Sequence, residues 1–559
     1  MRYCADFETI NDKDDCRVWA WWISEIDNEE NSEKGIDIDS FMSALFMYCG
    51  DTVYFHNLKF DGEFILNWLF RNGYTHIRDT KFSKEKTFTT LISDTGAFYS
   101  MKICFLMQDK KPLFVTIIDS LKIIPLSIRQ MAKAFGLEVS KGEIDYNAFR
   151  PVGYEPSEEE WDYIKRDVYI ACRALSVLFN QGLKKITQAS NAMADYKKTI
   201  PKKFSRWFPK IAYDADIRRS YRGGFTYLNP KFKDMDLGEG IVLDVNSLYP
   251  SVMYYERLPY GEPIAFEGEY KPDELYDLYV QKFACQFELK EGKIPTVQLK
   301  NNLSFVPTEY LTSSGDQYVT MYMTNVDLKL FLENYDVYDL DYHRGWKFKS
   351  AEGLFKEYID KWMKIKIESD GVNPGMRQLA KLMLNALYGK FGLNPEIRSK
   401  IPYLEEGIIK YQTVKEEDRD PIYIPMASFI TSYARNKTIR SAQSVYDRFV
   451  YADTDSLHLL GFDYPEVLDI DAHRLGAWKP ESRFHRARFL RQKCYIEDEL
   501  DKDDQAKGLK IVCSGLPQEC YGQVNWDNFH YGMTYEGKLF PYHAKGGIVL
   551  TEGDFTLRK

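Results

Sequence analysis

At 559 residues the chain exceeds the roughly 250 to 300 at which a single hydrophobic core stops growing, so two or more domains are expected and a small binding module is excluded. With 44% apolar, 28% charged and 15% aromatic residues and no apolar run of about 18 residues, the composition is globular and excludes a membrane-spanning chain. The net charge of −9 speaks against a polyanion partner, but positions 197–222 carry nine basic and two acidic side chains, and Arg483 to Lys493 five basic and no acidic ones. Interleaved with aromatics, such stretches suit a phosphate track with stacking platforms.

No apolar h-region precedes the first acids of MRYCADFETI, the nine cysteines show no CxxC spacing and the eight histidines no HExxH. An intracellular protein without structural zinc or a disulfide framework is expected. In CADFETI a strand places Asp6 and Glu8 on one face, where like charges repel unless a cation compensates. The apolar runs Thr52 to Phe55 and Phe114 to Ile118 predict strands, and 64–70 and 128–135 predict helices. An α/β domain up to about residue 184 follows. Asn57 and Asp61 come directly after the first of these strands. Further on, Ser157 and Glu160 form a capping box opening a helix on which Tyr163 and Asp167 share a face. Four carboxylates with a tyrosine one turn before the last can hold two divalent ions and orient a water for attack on a phosphodiester.

Beyond the basic stretch, the run Ile241 to Val245 predicts a strand opening a second unit, and Asp244 interrupts it where an unpaired carboxylate is costly. A helix is predicted from about Pro374 to Phe391. At about 100° per residue, Arg377, Lys381, Asn385 and Tyr388 fall on one narrow face, which suits a triphosphate with a base stacked above it. The absence of GxxxxGK[ST] excludes a P-loop. A hairpin near Phe449 to Leu460 sets Asp453 and Asp455 at a strand turn, and with Asp244 they can bind a metal pair.

At these residues the chain resembles the family B DNA polymerases, and among them the protein-primed replicative polymerases of small Bacillus phages. DFET at 6–9, Asn57 to Asp61 and Y-x-x-x-D at 163–167 are similar to the three proofreading exonuclease motifs. DVNSLYPS at 244–251, K-x-x-x-N-x-x-YG at 381–389 and YADTDS at 451–456 are similar to polymerase motifs A, B and C. Tyr221-Arg222-Gly223-Gly224 resembles the YxGG segment between the two domains, and Lys493-Cys494-Tyr495 the KxY primer-contacting motif. Ala386 departs from the serine that many members carry there.

The resemblance implies an α/β and α+β multidomain chain: a ribonuclease H-like 3'-5' exonuclease domain at 1–184, then a right-hand polymerase domain at 185–559. Its parts would be a palm at 185–255 and 422–522, a first insertion at 256–353, fingers at 354–392, a second insertion at 393–421 and a thumb at 523–559. It implies that Asp244, Asp455 and Val245 bind the polymerase metals with Asp453 as their partner, that Lys381 and Lys366 contact phosphate, and that Tyr249 sits beneath the sugar. In the exonuclease, Asp6, Glu8, Asp61 and Asp167 would bind metal, assisted by Tyr163 and Lys141. Thr9, His56, Asn57, Phe60, Ser120, Leu121 and Tyr146 would touch single-stranded DNA, and Tyr221, Gly223, Gly224, Lys493 and Tyr495 the primer-template. Two Mg2+ ions per site, replaceable by Mn2+, are the implied cofactors. The implied partners are primer-template DNA, deoxynucleoside triphosphates and a terminal protein as primer, for a monomeric, processive, strand-displacing enzyme in the cytoplasm of an infected bacterium. A polymerase using nucleic-acid primers and an inactive nucleic-acid-binding scaffold are the alternatives.

Overall fold

The computed structural model describes residues 1–138, 142, 144–145, 148–200, 203–298, 310–501 and 504–559. Lys141 and Tyr146 lie outside the described residues.

The N-terminal part is built on an eight-stranded sheet in the order Asn28–Gly35, Val18–Glu25, Arg2–Thr9, Thr52–Phe55, Lys111–Asp119, Phe98–Gln108, Thr87–Ile92, Thr75–His76. Arg2–Thr9, Thr52–Phe55 and Lys111–Asp119 pair in parallel at its centre. Helices cover both faces there, which is why these strands read as nearly unbroken apolar runs. Tyr3, Ala5 and Phe7 face one core and Cys4 the other, so strand alternation puts Asp6 and Glu8 on the Cys4 side. That side is covered by helix Glu158–Asn180, whose Ser157–Glu160 capping box forms as predicted.

A second, antiparallel sheet runs Ala506–Cys513, Cys494–Leu500, Trp478–Arg491, Gly240–Val245, Ser456–Leu460, Phe449–Asp453, Thr226–Leu228. Helix Ile424–Ser444 packs against helix Leu248–Tyr255 and against this sheet. A separate four-stranded sheet, Leu258–Glu267, Tyr335–Ala351, Leu278–Leu289, Val319–Thr324, has its own core around Phe283, Phe287 and Phe331. Helices Lys356–Glu368 and Pro374–Ala386 pack on each other. Among the described residues there are also the short pair Val297–Gln298 with Tyr310–Leu311 and two long hairpins, Arg398–Glu405 with Ile408–Lys415 and Thr534–Ala544 with Gly547–Thr556. Both long hairpins reach back to the N-terminal part, where Ile409, Ala544, Ile548 and Val549 join its core.

The helix predicted to run to Phe391 ends at Ala386 and continues as a 3-10 segment, Tyr388–Gly392. Two glycines, 389 and 392, weaken the α-helical continuation, and Arg218 donates to the Gly392 carbonyl at 3.1 Å. All nine cysteines are free and all but Cys49 are buried, in keeping with a core-filling role. Among the described residues no helix is long and apolar enough to cross a membrane.

Candidate active sites

The first cluster forms where the central parallel strands end. Asp6 and Glu8 come from strand Arg2–Thr9, Asp61 from the first turn of helix Leu58–Arg71, and Asp167 and Tyr163 from helix Glu158–Asn180. Asp61, Asp167, Glu8 and Tyr163 are all buried, and Asp6 is half-buried. Burial, and after it the negative charges of Asp6 and Glu8, push the Asp61 carboxyl well above the ordinary aspartate value. Carboxylates held against one another this way are stabilised by a bound cation. A small cleft beside them is lined by Asp6, His56, Asp167 and Ile128. Described residue Gly142 brings its backbone against Tyr163: a Cβ there would stand 3.1 Å from the ring.

The connection after strand Thr52–Phe55 is shaped by hydrogen bonds that the sequence does not announce. Asn57 adopts a left-handed conformation (φ 75°), and its backbone N–H donates to Asp119 Oδ1 at 3.0 Å. The same oxygen accepts from the Leu121 N–H at 3.0 Å, and Lys122 Nζ lies 3.6 Å from the other. Ser120 Oγ donates to the Phe55 carbonyl at 3.0 Å and lies 3.0 Å from His56 Nδ1. The fully buried Asp119 thus holds Asn57 and Leu121, while Ser120 is held by the Phe55 carbonyl beside His56. Its one signal, an acid closing the apolar run VTIID, is the signal that marks Asp244. Phe60 is half-buried beside Phe64, and Thr9 follows a bulge in the pairing with Val18–Glu25.

The second cluster lies on the second sheet. Gly240–Val245 pairs with Ser456–Leu460 so that Asp244 stands opposite Ser456, and the Val245 N–H donates to the Asp455 carbonyl at 2.8 Å. Asp455 belongs to a tight turn in which Thr454 has φ 61° and its carbonyl accepts from Thr438 Oγ1 at 2.7 Å. Burial, then Asp244, raises the Asp455 carboxyl from 3.8 to about 6. Burial raises Asp244 too, against the pull of Lys479, whose Nζ lies 3.2 Å from Asp244 Oδ2. Asp453 is partnered differently. It accepts from Thr226 Oγ1 at 3.0 Å and pairs with Lys493 Nζ at 2.8 Å. The open groove here is lined by Asp244, Asp453, Asp455, Glu481, Lys493 and Tyr495. Glu481, exposed at its rim, was not singled out from the sequence; it helps raise both Asp244 and Asp455.

Facing these acids is a group of cations. Burial, then Lys479, Lys381 and Arg377, lowers the Lys366 amine, and burial, then Arg377 and Lys479, lowers that of Lys381. Their mutual repulsion is relieved by a polyanion. Arg377 pairs with Asp370 at 2.8 Å, while Asn385 and Gly389 are exposed. Tyr249 and Tyr388 stack beside the acids, and Tyr221 packs on Gly392. Arg435, buried on helix Ile424–Ser444, donates to the carbonyls of Arg222 at 2.9 Å and Gly223 at 2.8 Å. Nothing in its surrounding sequence marks it for that role.

The basic stretches differ from expectation. Arg483 pairs with Asp504, Arg486 and Arg488 with Asp236, and Arg491 is buried. In the connector, Arg218 pairs with Asp214 and Lys210 with Asp420, and Arg222 donates to its neighbours' carbonyls. Acids distant in sequence thus pair with most of the basic residues of 483–493 and, in the connector, with Lys210. Tyr495 is buried in a stack with Phe489 and Tyr451, which leaves Lys493 as the exposed member of its motif. Among the described residues no three His, Cys, Asp or Glu side chains close into a metal cage.

The family described as DNA polymerase type B, organellar and viral, matches residues 42–157 and 149–472. The DNA polymerase of Bacillus phage B103 is 46% identical over 577 residues, spanning 100% of this chain and 99% of that one. That of Bacillus phage phi29 is 44% identical over 574 residues, with the same coverage, and that of Streptococcus phage Cp-1 is 34% identical over 587, covering 100% and 98%. The solved structure of phi29 DNA polymerase complexed with primer-template DNA and incoming nucleotide substrates superposes over 100% of both chains, with TM-score 0.93 and 43% identity. The orthorhombic crystal form gives 0.96.

Proposed function

The chain belongs to the organellar and viral DNA polymerases of type B, and on that premise we propose that it extends DNA at the Asp244–Asp455 cluster and proofreads at the Asp6–Asp61–Asp167 cluster. The observation that carries the reading is the register that sets Asp244 opposite Ser456 and ties Val245 to the Asp455 carbonyl. Two motifs far apart in sequence thereby present raised carboxylates side by side, beside four mutually repelling cations, Lys366, Lys381, Arg377 and Lys479. We assign 1–184 to the exonuclease, 185–255 and 422–522 to the palm, 354–392 to the fingers and 523–559 to the thumb. The insertions are 256–353 and 393–421.

Magnesium fits the polymerase site because it is bound by one or two carboxylates together with substrate phosphates rather than by a closed protein cage. Asp244, Asp455 and the Val245 carbonyl would hold it, with manganese able to substitute, and Asp6, Glu8, Asp61 and Asp167 would hold a pair in the exonuclease. When bound, such ions lower the charge on the reacting phosphate and favour a deprotonated hydroxyl. The chain's own residues do the rest. Lys366 and Lys381 receive the triphosphate, and Tyr249 and Tyr388 form the floor under sugar and base. Lys493, held by Asp453, meets the primer strand. In the exonuclease Asn57 and Leu121, set by Asp119, and Ser120, set by the Phe55 carbonyl, receive a frayed single strand, and Tyr163 orients the attacking water. The second insertion, anchored on the exonuclease, closes over DNA and supports processive, strand-displacing synthesis. A terminal protein as primer, replication of a linear phage genome, action as a monomer and a place in the cytoplasm of an infected bacterium complete the reading.

The test separates the two sites. Asp455→Ala should abolish primer extension and spare degradation of single-stranded DNA, and Asp6→Ala combined with Asp61→Ala should do the reverse. Loss of both activities from either protein, folded by circular dichroism, would show that two independent sites do not exist.

A further inference from the structure

Three segments distant in sequence converge on one buried carboxylate. Glu63, on helix Leu58–Arg71, is 3% exposed. Its Oε1 accepts from Tyr411 Oη of the insertion hairpin at 2.5 Å, and its Oε2 lies 3.4 Å from His543 Nδ1 of the C-terminal hairpin. The two hairpins also touch directly, with the Tyr411 and His543 ring centroids 6.1 Å apart, and further contacts anchor each to the N-terminal part. Asn67 Nδ2 donates to the Gly407 carbonyl at 2.9 Å at the tip of the insertion. Asn11 exchanges two hydrogen bonds with the Leu550 backbone at 2.8 and 2.6 Å. Glu63 alone of these touches both hairpins. Each hairpin is joined at its other end to the second sheet or to the helices beside it, so their meeting at Glu63 closes a loop of structure that runs through the polymerase domain and back.

We propose that Glu63 is a positioning residue for sustained synthesis: with Tyr411 and His543 it latches the insertion hairpin and the C-terminal hairpin to the exonuclease, and so limits opening of the enclosure around DNA. This role presupposes that the insertion closes over DNA. A buried carboxylate suits the task because a Tyr hydroxyl donates to it while a His ring stands within ion-pair distance, and because parting the insertion hairpin leaves it without its hydrogen-bond donor. None of the three side chains belongs to the nucleotide or metal clusters, so the chemistry of a single addition does not depend on them.

The experiment uses Glu63→Gln, Tyr411→Phe and His543→Gln, a polymerase in which residues 398–418 are replaced by a short Gly/Ser bridge, and the unaltered chain. Each is measured for single-nucleotide insertion with enzyme in excess, and for product length on a long primed circle with heparin added to prevent rebinding. Insertion rates should be unchanged in the point variants, which also controls for folding. Product length should fall by roughly tenfold for Tyr411→Phe, the factor expected from loss of one buried hydrogen bond to a charged group. Glu63→Gln, whose amide oxygen still accepts from Tyr411 but which no longer carries the charge, should shorten products by less. Hydrogen exchange in both hairpins should quicken together in Glu63→Gln. If the bridged chain makes short products but the point variants match the unaltered chain, the latch is wrong and the enclosure stands. Long products from the bridged chain as well would overturn the enclosure, and the latch with it.

Discussion

The rings of Tyr249 and Tyr388 lie face to face, with centroids 4.0 Å apart and planes 19° from parallel. One lies within the motif that carries Asp244 and the other opens the 3-10 segment after the helix that carries Lys381, so the stack couples the acidic side of the cluster to its cationic side. Neither ring can swing without displacing the other, so the floor proposed for the incoming sugar is a rigid one.

Removing that wall should relax sugar selection. Tyr249→Val is expected to lower discrimination against ribonucleotides by roughly 10- to 200-fold, the range one steric contact supplies. Steady-state kcat/KM for deoxy- and ribonucleotides checks it, and an unchanged ratio would remove this role from the ring.

Gly224 is a sharper structural test. A Cβ there would stand 2.7 Å from Thr454 Oγ1 and 3.1 Å from Tyr249 Oη, so Gly224→Ala should push on the turn that presents Asp455. Extension should drop strongly for a cost of about 1 to 3 kcal/mol in folding stability, while degradation of single-stranded DNA continues. Normal extension would mean that the turn yields without consequence.

Asp455 provides a pH test. Its carboxyl stands at about 6 in the folded chain against an ordinary 3.8. Folding therefore favours the protonated form, and the associated stability is full below the ordinary value and lost as pH rises through about 6. In metal-free protein near pH 8, Asp455→Asn should stabilise by roughly 2 kcal/mol after allowance for solvent at the site, and by little near pH 4. Magnesium should reverse the ranking near pH 8, because it binds the unaltered chain. Denaturant midpoints measure this, and equal effects at both pH values would rule out a strained carboxylate.

Protein priming is tested directly by covalent labelling. Incubated with its cognate terminal protein, labelled deoxyadenosine triphosphate and magnesium or manganese, the chain should yield a protease-sensitive labelled adduct. Efficient extension of nucleic-acid primers with no adduct under either metal would favour the alternative in which the insertions serve another purpose.

Much of the chemistry was legible along the chain. Asp6 with Glu8, Asp61, Tyr163 with Asp167, Asp244 and Asp453 with Asp455 each announce themselves locally, by an acid in an apolar run or by helix and strand periodicity, and the capping box at Ser157 follows from backbone preferences within a few residues. The order of these motifs was enough to separate two acidic clusters. Only the tertiary structure decided what meets what. It paired Arg488 with Asp236 and Arg483 with Asp504, joined Lys493 to Asp453, and set Asp119 beneath Asn57. It also brought Arg435 to Gly223 and Tyr411 and His543 to Glu63. Periodicity records which face of an element is buried, and a motif records which groups are present. Neither records which distant strand supplies the neighbour, because that choice is made by register and by the docking of whole hairpins, through contacts between residues hundreds of positions apart.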